Sequence, residues 1–124
     1  MEQEIHKRLN ILIQLAEADK HFSIEEKEMI YKIAESNGSS RQVVNEIIRK
    51  PTTIGNLDGL SDNEQFDYLL NCTKLIFVDK KIFEVELKFA KNIAAKLGFQ
   101  AEVIDLLIEN RNNISFETIK KFKK

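Results

Sequence analysis

Helix breakers and sulfur are scarce in this chain: one proline (Pro51), four glycines and one cysteine (Cys72) in 124 residues. A single cysteine excludes an internal disulfide and fits a reducing compartment. So little proline and glycine favours long uninterrupted elements. Long apolar runs are also missing. The longest, Leu75-Ile76-Phe77-Val78, falls far short of the roughly 18 residues of a membrane span. Charge of one sign is not in excess either. Nineteen basic against twenty acidic residues leave a net charge of −1, which supplies no general attraction to nucleic acid or anionic lipid. The Met1-Glu2-Gln3-Glu4 start lacks the basic segment that opens a secretory signal. No membrane span, no nucleic-acid partner and a cytoplasmic location are therefore expected. Gly-rich phosphate loops, nucleophile elbows and Cys-x-x-Cys pairs are absent too, so a non-enzymatic protein is expected.

What the chain does contain is a copy of itself. Residues 9–48 align without a gap on residues 69–108, and ten of the 40 pairs are identical. Among them are Leu15/Leu75, Asp19/Asp79, Glu26/Glu86, Ala34/Ala94 and Gly38/Gly98. Self-similarity of this kind marks a duplicated supersecondary unit.

Apolar residues recur at helical spacing nearly throughout. Ile5, Leu9, Leu12, Ile13 and Ala16 line one face of a first helix over about residues 2–18. Ser23-Ile24-Glu25-Glu26 reads as a capping box opening a second helix that runs to about Asn37. Gly38 stands where a left-handed helix stop is wanted. Ser40 caps a short third helix, which Pro51 keeps from continuing. Residues 51–60 connect the copies, and Ser61-Asp62-Asn63-Glu64 opens a fourth helix through about Val78. That helix, apolar on every side near its end, is expected at the centre of the bundle. Helices near 84–97 and 100–111 repeat the second and third, and Ser115 is expected to cap a last short one. The expectation is all-α: about seven helices in two pseudo-repeated three-helix units, packed as one domain over residues 1–124.

The constellation with most chemistry is the repeated Asp-Lys-x-apolar-x-x-x-Glu, Asp19 to Glu26 and Asp79 to Glu86. Each copy falls at a helix–loop–helix corner. Hard oxygen ligands converging there suit Ca²⁺ or Mg²⁺, and two corners brought together would make a four-carboxylate site of Asp19, Glu26, Asp79 and Glu86. A structural alternative stands beside it. Glu26 completes a capping box, an acidic first turn complements the helix dipole, and aspartate is at home in turns. An EF-hand is excluded by spacing. With Asp19 as position one, Ile24 falls where the glycine belongs and Ile30 where the bidentate glutamate belongs. His6 and His21 lack partners at metal-ligand spacing and are expected at the surface. Cys72, beside Leu69 and Ile76 on the fourth helix, is expected as a small buried hydrophobe. Lys120, Lys121, Lys123 and Lys124 form a basic tail, expected to be solvated and frayed.

These corners, with Ile33-Ala34 and Gly38 behind them, resemble the TerB-like family. These are helical domains named for tellurite resistance and also found at the N-terminus of a membrane-anchored J-domain co-chaperone. Leu15-Ala16-Glu17-Ala18-Asp19 and Phe22 through Glu26 match the family pattern, and Leu75, Val78-Asp79, Ile82 and Glu86 match it again. Lys20 and Lys80 stand where the family has glycine. The resemblance implies a compact helical module with acidic residues suspected of metal binding, linked to stress or tellurite resistance. The competing expectation is a protein-binding adaptor that uses an apolar groove, its acidic corners purely structural.

Overall fold

The computed structural model describes residues 2–18, 22–55, 57, 59–78, 84–111 and 113–123. Seven helices occur among the described residues: α1 (Glu2–Glu17), α2 (Ile24–Ser36), α3 (Arg41–Arg49), α4 (Asp62–Val78), α5 (Glu84–Lys96), α6 (Glu102–Glu109) and α7 (Phe116–Lys120). The only β pairing among these residues is an isolated bridge between Phe99 and Lys123. The protein is all-α.

Local chemistry accounts for the helix ends. The Ser23 hydroxyl accepts from the Glu26 amide at 3.1 Å, and Glu26 Oε1 accepts from the Ser23 amide at 3.0 Å. Ser61 and Glu64 repeat this box, at 3.2 and 2.8 Å. Each satisfies orphan donors of a first turn and contributes about 1 kcal/mol. The Ser61 amide also holds the Glu64 carboxyl below its ordinary value. At the far ends, Gly38 (φ +80°) and Gly98 (φ +92°) take the left-handed conformation. The Ser39 and Phe99 amides reach back to the Ala34 and Ala94 carbonyls at 2.8 and 2.9 Å, while the Gly38 and Gly98 amides donate to Glu35 and Ala95. Both stops are Schellman motifs, for which glycine carries no Cβ penalty. Ser115 sits at the start of α7 without capping it. Its hydroxyl lies 3.3 Å from the Thr118 hydroxyl instead.

Packing follows the repeat. α1 packs on α2, α3, α4 and α5, while α4 packs on α5, α6, α1 and α2. Shifting every helix by one copy therefore maps this contact pattern onto itself. The core holds Leu9, Leu12, Leu15, Ile30, Leu69, Leu75, Ile76 and Ile93, all essentially without exposure. Each buried side chain of this size contributes about 1.5–3 kcal/mol.

The centre is shared rather than held by α4. Residues 8–13 of α1 are buried without a break, whereas Phe77 and Val78 at the end of α4 are only half-buried. Polar groups are enclosed where the two helices cross. The Arg8 guanidinium lies 2.6 Å from the Glu4 carboxylate and 5.2 Å from the centre of the Tyr68 ring. The Tyr68 hydroxyl donates to the Glu4 carbonyl at 3.2 Å. Burial, reinforced by the Glu4 charge, pushes that hydroxyl well above its ordinary pKa. Positions 8 and 68 stand at the repeat's offset of 60, one residue before the aligned stretches. Arginine facing tyrosine avoids the like-charge contact that two arginines would make there.

Candidate functional site

Among the described residues, Glu26 and Glu86 are the two carboxylates that the fold encloses completely, each at 0% exposure in the first turn of its helix. Glutamate is almost never buried to this degree unless it is paired. Glu26 Oε1 accepts from both the amide and the hydroxyl of Ser23. Glu86 occupies the same place at the start of α5, where first-turn amides and the helix dipole favour negative charge. The other two expected ligands, Asp19 and Asp79, lie outside the described residues, as do Lys20, Lys80, His21 and Ile82.

The described flanks show how the corners relate. Ala18 and Glu17, at the end of α1, share a groove with Phe89 of α5. Val78, at the end of α4, shares a groove with Met29 of α2. Phe89 and Met29 follow Glu86 and Glu26 by three residues, about one turn. The start of each copy's second helix therefore lies against the end of the other copy's first helix. Among the described residues, no group of three or more histidine, cysteine, aspartate or glutamate side chains is placed to hold a metal.

The remaining candidates fall out as follows. Cys72 is buried, and burial pushes its thiol up to about 12, so at neutral pH it is an unreactive thiol inside the core. His6 is exposed. Lys120 and Lys121 of the basic tail are exposed as expected, Phe122 and Lys123 are docked, and Lys124 lies outside the described residues. The Phe122 carbonyl accepts from the Gln100 amide at 2.7 Å, and the Lys123 ammonium lies 5.3 Å from the centre of the Phe99 ring. No helix among the described residues is long and apolar enough to cross a membrane.

Sequence reasoning missed two grooves that the repeat relates to each other. One, between α1 and α5, is overlaid by the connector. The Thr52 amide donates to Asn10 Oδ1 at 3.2 Å, and its carbonyl accepts from Asn10 Nδ2 at 2.9 Å and Gln14 Nε2 at 2.7 Å. Further along, Leu57 is buried. The other groove, between α4 and α2, measures about 650 Å³ and is lined by α1, α2 and α4 alone. The signal was present in the register, since Gln14/Lys74, Ala18/Val78 and Met29/Phe89 are aligned pairs. No family model matches the chain, and no curated protein or solved structure matches it.

Proposed function

We propose that the chain is a non-enzymatic, TerB-like helical module that takes up a divalent cation through its paired acidic corners. Asp19, Glu26, Asp79 and Glu86 are the ligands in this reading, and Ca²⁺ or Mg²⁺ is the cation that such oxygen donors suit. The observation that supports it is the complete burial of Glu26 and Glu86 at matching helix starts. Each start lies against the end of the other copy's first helix. Two carboxylates enclosed at equivalent places are more than two helix caps require, since the Ser61–Glu64 box caps α4 with Ser61 on the surface. A link to stress or tellurite resistance comes with the resemblance alone.

Thermal melting of the intact chain tests the cation. A ligand that binds only the folded state adds about 2.7 kcal/mol at a hundred times its Kd. The melting temperature is expected to rise with Ca²⁺ or Mg²⁺, and the rise to vanish in Asp19→Ala and Asp79→Ala. Melting that stays unchanged up to millimolar cation overturns the reading.

A second reading, a protein-binding adaptor whose corners are structural, is favoured by a different observation. The Ser23–Glu26 capping box already gives Glu26 Oε1 a local role.

A further inference from the structure

The two grooves are the same architectural place in the two copies, and among the described residues the connector lines only one of them. In the α1/α5 groove Pro51, Thr52 and Thr53 of the connector form one wall, held through both backbone groups of Thr52. The α4/α2 groove has apolar Met29, Ile33 and Val78 among its lining. Lys32 of α2 and Lys74 of α4 line it from opposite helices, and both are exposed. Neither lysine belongs to an ion pair among the described residues. Arg8 also reaches this groove, but Glu4 neutralises it at 2.6 Å. Asp67 is the one acid among the described residues of the lining.

The substitutions between copies define what the open groove accepts. Gln14, whose amide reads the Thr52 carbonyl, is replaced by Lys74. An ammonium has three donors and no acceptor, so it selects carbonyls and, more strongly, carboxylates. Asn71 adds a side-chain amide beside Leu70, the counterpart of Asn10. We infer that the α4/α2 groove binds an extended, acidic segment of a partner protein, laid along the helices as Thr52 and its neighbours in residues 51–55 lie along α1. The groove's role here rests on the adaptor reading. An apolar side chain of the segment packs between α2 and α4, and its carboxylates meet Lys32 and Lys74.

The test uses the full chain and two synthetic heptapeptides. One copies residues 51–57 with Thr52→Glu and Asn56→Glu. The other carries lysine at the same two places. Amide chemical shifts of the protein are followed as each peptide is added. The acidic probe is expected to move signals from residues 29–37 and 67–78, with the lysine probe at least tenfold weaker. Lys32→Glu with Lys74→Glu, both at exposed positions, is expected to reverse that preference while signals elsewhere stay unchanged. Equal binding of both peptides in the groove overturns the proposal, as does binding of the acidic probe elsewhere, which leaves the adaptor reading standing. No shift with either peptide up to about 1 mM, a free energy near −4 kcal/mol, removes the proposal and the adaptor reading together.

Discussion

The α2–α3 and α5–α6 corners share one helix stop and differ in nearly every side chain. Both end a helix with a Schellman motif at a left-handed glycine, Gly38 or Gly98. Around Gly98 the chain places Leu97 and Phe99, both buried, and the ring of Phe66 of α4 meets that of Phe116 of α7 at 5.5 Å, tilted by 58°. Around Gly38 the same positions are Asn37, Ser39 and His6, and they line an open groove of about 510 Å³ with Ile5 and Val43. The first corner faces solvent and the second has a helix over it. The same helix stop with opposite polarity around it separates the turn, which the glycine sets, from the side chains, which record what covers it.

Three sets of substitutions break or sharpen this comparison. Phe99→Ser, which gives the second corner the residue of the first, empties an aromatic site under the tail. It is expected to lower stability by about 3–5 kcal/mol in urea denaturation. A loss below about 1 kcal/mol would mean that α7 does not depend on that ring. Gly38→Ala and Gly98→Ala are expected to cost about 1–2 kcal/mol each, and equally. At neither position does an added Cβ meet an atom within 4 Å, so the cost is conformational and independent of what covers the corner. Unequal losses would show that the two backbones are not equivalent. Ser39→Phe is expected to change stability by no more than about 0.5 kcal/mol, because half-buried Ser39 lines an open groove with room for a larger side chain.

Most helix bounds were legible in the sequence because their causes are local. Ser23 with Glu26, Ser61 with Glu64, and the two glycines each fix a helix end within a few residues. What was illegible depends on partners far along the chain. Nothing local predicts that Arg8 and Asn10 are buried. Arg8 is enclosed through Tyr68 and Asn71, and Asn10 through Thr52. The apolar end of α4 suggested a single central helix, but Phe77 takes part of its cover from Arg111, 5.9 Å from its ring. The tail reads as solvated by its lysines, and its docking comes from Phe122 and Lys123 meeting the Gly98 corner. At the candidate site, repetition singled out Glu26 and Glu86 in advance. Their burial could not be read, because it is set by helices from both copies.

The central functional claim is that two acidic corners act as one site. Calorimetric titration of the intact chain with Ca²⁺ and then Mg²⁺ tests it most directly, since it reads stoichiometry as well as affinity. A single cation per chain is expected, with binding abolished by Asp19→Ala and equally by Asp79→Ala. No heat with either ion up to millimolar concentration, or binding that survives the loss of one corner, would contradict it.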